Sequence, residues 1–143
     1  LSYYEGYGMV VEEAKILNKN IIITDTAAKE GVQGYDKAII DYFGKDMQNV
    51  VYNSLSVMYD GYQPIGTCMV VKHNDNWLLH CPTMRWPEKI IDPRVIFDCT
   101  VACLKAAYKL DLPAVVVPAF GGLTGGIKPE EVALYMRQGF DFF

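Results

Sequence analysis

The stretch "VVVPAFGGLTGGIKPEE", Val115 to Glu131, carries the densest candidate chemistry in the chain. Gly121, Gly122, Gly125 and Gly126 put four glycines into six residues, between an apolar run and a Pro-Glu-Glu helix opening. Glycine admits positive φ and close approach of other groups to the backbone. Consecutive backbone N–H groups in such a loop can cradle a phosphate, helped by the positive end of a helix starting near Pro129. No Gly-Lys-Ser/Thr closes the loop, so it is not a P-loop, and its spacing is not GxGxxG. Taken alone, these residues fit a plain structural turn equally well.

Other reactive side chains are sparser. His73 and His80 are seven apart with no third ligand at metal spacing, so ordinary strand histidines are expected and no metal. Cys68, Cys81, Cys99 and Cys103 contain no CxxC pair. Buried structural thiols in a reducing compartment are the expectation, with Cys99 and Cys103 on one helical face. Cys81 precedes "PTMR", but neither His has a reason to lie beside it as a base. Arg85 is the obvious permanent cation of the segment from Pro82 to Pro87. Tyr135, Phe140, Phe142 and Phe143 could stack on a base, although an apolar helix face explains them more simply.

The elements that must position these residues follow from periodicity. Met9–Asn20 and Tyr35–Phe43 read as amphipathic helices, and "IIIT" (Ile21–Thr24) as a buried strand. Asp46–Tyr59 resumes helical spacing through Met47, Val50, Val51, Leu55 and Met58. "GTCMVVKHNDNWLLHCPTM" reads as two strands around a turn at Asn74-Asp75-Asn76. Asp92–Leu110 is a helix with Asp92 as N-cap and Pro93 in its first position. "AVVVPAF" is a further buried strand. A last helix runs from Pro129 or Glu130 to about Gln138, with Val132, Leu134, Tyr135 and Met136 mostly inward. Alternating helices and apolar strands predict an α/β sheet with helices on both faces, mixed because of the hairpin. A ligand would then lie beyond the carboxyl ends of the strands, in the loops 25–36, 82–87 and 118–129.

The chain has 143 residues, 51% of them hydrophobic and 21% charged, with net charge −4. This predicts one globular domain over residues 1–143. No basic stripe suits nucleic acid, and no apolar run of membrane-spanning length occurs. No leader pattern opens the sequence, so a cytoplasmic location is the default expectation. No cofactor is called for.

"GYDKAIIDYFG", "CPTMRWPEKIIDP" and "AVVVPAFGGLTGGIKPEEVALYM" together resemble a macrodomain over about residues 24–140. The resemblance implies a three-layer α/β/α sandwich with a mixed sheet that binds ADP-ribose or a related nucleotide diphosphate. Carried over by position, Gly121, Gly122, Leu123, Thr124, Gly125 and Gly126 would wrap the diphosphate and distal ribose, with Phe120 near that ribose. Gly31 and Gly34, in the segment ending at Asp36, would form the second phosphate-facing loop. Asp25 would accept from the adenine amino group. Some macrodomains hydrolyse ADP-ribose linkages, and Asp36 is the candidate catalytic acid or water-positioning group. The family's first loop usually carries an Asn that "TDTAAKE" (Thr24–Glu30) lacks, which argues against the usual hydrolytic route. A helix N-terminal acid is the simpler reading of Asp36.

Residues 3–30 also resemble the donor-binding segment of a retaining GT-B glycosyltransferase, through "EGYG" and the Glu5/Glu13 spacing. In that reading Glu5 would serve the donor sugar and Glu13 the nucleotide ribose. Residues 1–23 are therefore an atypical N-terminal segment for a macrodomain. Nucleotide-sugar binding and a ligand-free assembly module, an oligomer burying the Phe-rich end, are the alternatives.

Overall fold

The computed structural model describes residues 21–27, 46–60, 63–73, 76–84, 89–112, 115, 117, 119–121 and 125–143. Strand β1 (Ile21–Ala27) begins where the β-branched run begins. It continues three residues past Thr24, because its parallel pairing with strand β3 (Asn76–Met84) runs on to Ala27↔Met84. Asp25 thus lies inside β1, paired with Cys81, rather than in the following loop.

Strand β2 (Met69–His73) pairs with β3 antiparallel, so the described sheet has the order β1-β3-β2 and is mixed. Two corrections to the expected hairpin follow from the ladder. Asn76 is already strand, paired with His73. Pro82, Thr83 and Met84 also belong to β3, not to the loop after it. Proline tolerates this position because the register shifts between Thr26 and Ala27, and prolines within sheets favour such bulges.

Helix α1 (Asp46–Tyr59) packs on β2 and buries Met47, Val51 and Leu55, four residues apart along one face. Met58, expected on that face, falls off the stripe and is exposed. Helix α2 (Arg94–Lys109) lies against β3 and buries Val95, Ile96, Cys99, Thr100, Cys103 and Ala107. It starts one residue later than expected: Pro93, with helical angles (φ −68°, ψ −9°), is the N-cap rather than the first helical residue, and Asp92, just before it, accepts the Arg94 N–H at Oδ1 at 3.0 Å. Helix α3 (Pro129–Phe142) packs on α2 and extends four residues beyond Gln138. Val132, Tyr135, Met136 and Gly139 form its inner face. Leu134 points outward, 200° around the helix from Val132, contrary to expectation.

Both faces of β3 are covered. Leu79 and Cys81 join the cluster with Ile96, Cys99, Cys103, Phe120 and Val132, while Leu78 and His80, out of phase with them, are buried as well. Val115 and Val117 pack against the same cluster. Val115, Val117 and Ala119 are not strand, and residues 113, 114, 116 and 118 lie outside the described ones. The helices expected at 9–20 and 35–43 lie outside the described residues.

Candidate functional site

The parallel pair β1/β3 ends at Ala27 and Met84, and the loop end of the sheet is where the candidate chemistry converges. A cavity of about 270 Å³ opens there. Thr83 and Met84 from the end of β3, Ile65, the segment Lys89–Asp92 and Val95 of α2 line it.

The glycine turn is clamped to this lining from behind. The Ile90 N–H donates to the Gly125 carbonyl at 2.8 Å, and the Ile127 N–H donates to the Gly121 carbonyl at 3.1 Å. Gly121 and Gly126 have φ +71° and +70°, a backbone state that side chains disfavour. Gly125 is required by space: a Cβ there would stand 2.5 Å from Ile90 Cδ1 and 2.8 Å from the Gly121 carbonyl oxygen. Phe120, wholly buried, supports the turn from the core. At least part of the glycine pattern is thus a packing requirement.

Lys89 supplies what the glycines do not. Its aliphatic chain runs beside Gly126, whose absent Cβ would lie 3.4 Å from Lys89 Cγ, and Lys89 also lines the cavity. The exposed ammonium therefore sits at the seam of turn and cavity. Sequence reading stopped at Arg85, which lies outside the described residues, and missed Lys89 two residues beyond Pro87. The signal was "PEKIID", where a lysine follows a strand end by five residues. At the helix opening, exposed Glu130 and Glu131 already complement the α3 dipole. An anion there would meet two carboxylates, so the Lys89 side is the more favourable end for negative charge.

Asp92 closes the far side. Arg94 Nε and Nη2 donate to its carboxylate at 3.0 and 2.7 Å, and these bonds hold its pKa below the usual carboxylate value. Ile65 is positioned by a buried polar clamp. Gln63 Nε2 donates to the His80 carbonyl and to Thr67 Oγ1, each at 3.0 Å. This leaves Gln63 Oε1 to accept from His80 Nδ1 at 2.7 Å, so the proton is on Nδ1. Thr67 Oγ1 in turn donates to the Pro64 carbonyl at 2.6 Å. His80 is therefore a structural histidine joining the 63–67 segment to β3. Among the described residues no group of three or more His, Cys, Asp or Glu could hold a metal.

A family model described as Macro domain matches residues 24–136. The chain belongs to the Macro domain family. Three solved macrodomain structures are similar to it. An Asp-to-Ala mutant of the Oceanobacillus iheyensis macrodomain has 15% identity and a TM-score of 0.69, with 84% of this chain and 67% of that one covered. The macrodomain of Mycobacterium tuberculosis DarG has 19% identity and a TM-score of 0.69, covering 86% and 82%. An Asn-to-Ala mutant of the Oceanobacillus protein has 15% identity and a TM-score of 0.68, covering 85% and 65%. At such identities the likeness is one of fold, and the chain spans about two thirds of the Oceanobacillus structures. No curated protein matches the sequence.

In this macrodomain the structure brings together Phe120, Gly121, Gly125 and Gly126 beside Lys89 and Ile90. The Asp25 backbone is on the neighbouring strand. Gly122, Leu123, Thr124, Gly31, Gly34, Asp36, Glu5 and Glu13 lie outside the described residues. The aromatic end is elsewhere. Phe142 meets Phe97 edge-on at 5.4 Å and Phe143 meets Tyr108 at 6.0 Å. Both lie about 20 Å along α3 from its start beside the turn.

Proposed function

We propose that this macrodomain binds ADP-ribose or a related nucleotide diphosphate, with the diphosphate at the Gly121–Gly126 turn and Lys89. Macro domains generally bind ligands of this type. The observation that carries the placement is the alignment of an exposed ammonium with a positive-φ glycine at the mouth of a cavity, at the loop end of parallel strands. The cavity of about 270 Å³ suits one end of such a ligand rather than its whole length. Asp25 is assigned to the adenine and Phe120 to support of the ribose-facing turn. Hydrolysis stays a secondary assignment, with Asp36 as its acid, because the first loop lacks the family's usual Asn.

Isothermal titration with ADP-ribose, ADP and UDP-glucose tests this. Micromolar binding of ADP-ribose is expected, and Lys89→Glu should weaken it at least about tenfold without altering the melting curve. Absence of binding by all three ligands sinks the reading. Preference for UDP-glucose would transfer it to the nucleotide-sugar alternative and to Glu5 and Glu13.

A further inference from the structure

All four cysteines meet at the seam between β3 and α2. Cys81, Cys99 and Cys103 are buried in one cluster, and half-buried Cys68 packs against it. The antiparallel register pairs Met69 with His80 and Val70 with Leu79. Cys68 directly precedes Met69 and Cys81 directly follows its partner His80, so the two cysteines are neighbours just past the last pair of the ladder. Directly opposed antiparallel residues have Cα atoms about 4.5–5.5 Å apart and side chains on one face. A disulfide needs about 4.4–6.8 Å. The Cys81 thiol lies against the thiols of both Cys68 and Cys103, and burial pushes its pKa up, with those neighbours adding to the rise.

Cys68 alone among the four reaches solvent. It lines an open groove of about 430 Å³ with Thr67, Lys105 and Lys109. The thiolate is the form of a cysteine that reacts with peroxides. Cys81 is wholly buried and Cys68 is not, so Cys68 meets an oxidant first.

We propose that Cys68 and Cys81 form a reversible thiol-oxidation site, closed into a disulfide by hydrogen peroxide. The Cys68 thiolate attacks the peroxide: an S–O bond forms, the O–O bond breaks, and the departing hydroxide leaves as water with the thiol proton. Cys81 sulfur then attacks the Cys68 sulfenic acid. The S–S bond forms, the S–O bond breaks, and hydroxide leaves with the Cys81 proton as a second water. Two thiols are oxidised by two electrons in total, and one peroxide is reduced. The disulfide would fasten the 63–68 segment, which carries Ile65 of the cleft, to β3.

The test uses the reduced full chain, treated with a small excess of hydrogen peroxide, trapped with a maleimide and peptide-mapped. The expected result is loss of two thiols, a linked Cys68–Cys81 peptide and full reversal by dithiothreitol. Cys103→Ala should still form the link, and Cys68→Ser should keep its three remaining thiols at that dose. Oxidation of Cys68 to the sulfinic acid without linkage overturns the proposal. So does a Cys68–Cys103 link, or a link that forms as fast in denaturant as in the native state.

Discussion

The β3–α2 seam and the loop-end rim meet at residues 82–84 and 89–96 yet follow different rules. At the seam Ile96 and Leu79 are wholly buried, and on the other face of β3 the Gln63–His80 contact is buried as well. At the rim, contacts are exposed and charged, as with Asp92–Arg94 and Lys89. The two regions touch at Ile90 and Gly125, where an aliphatic side chain occupies the space a Cβ would need. Stability should therefore be concentrated at the seam and ligand chemistry at the rim.

Substitutions that cross this division would sharpen it or break it. Ile96→Ala empties a fully buried site and should cost about 3 kcal/mol in denaturant unfolding, the largest effect. Gly125→Ala at the junction should cost about 2 kcal/mol. Adding Ile90→Ala should recover part of that cost, leaving the clash with the Gly121 oxygen. Additive losses would show that Ile90 is not what the glycine accommodates. Gln63→Ala strips the partner from His80 Nδ1 and should cost about 1.5 kcal/mol, while weakening any ligand that touches Ile65.

Asp92→Asn should have the smallest effect. The Asp92 pKa is lowered in the folded chain by Arg94, so its contribution is present above the unfolded carboxylate pKa. It is lost as pH falls through the lower, folded value. Wild type should lose slightly more stability than Asp92→Asn on acidification, and salt should reduce the difference. An equal acid response would show that the pair contributes nothing.

Much of the fold was legible in sequence. Asp46–Tyr59 matched its helix, and the Asp92-Pro93 opening marked the start of α2 to within one residue, because both signals are local. Strand ends were misplaced at Thr24 and Cys81, because pairing between strands, not propensity, extends β1 to Ala27 and β3 to Met84. The outward turn of Leu134 and Met58 was missed because hydrophobicity does not state which arc of a helix meets its neighbour. At the site, the glycines were legible but their reason was not. Ile90, 35 residues earlier in the chain, and the Gly121 carbonyl together make Gly125 necessary.

The sequence by itself determined the helices Asp46–Tyr59, Arg94–Lys109 and Pro129–Phe142 to within a few residues, the hairpin and the glycine turn, since these depend on neighbours along the chain. Only the tertiary structure decided that Lys89 reaches the turn, that Gln63 clamps His80, and that the Cys68 and Cys81 thiols lie together. Those relations depend on strand register and on which surfaces pack together, and no short window of sequence contains both partners.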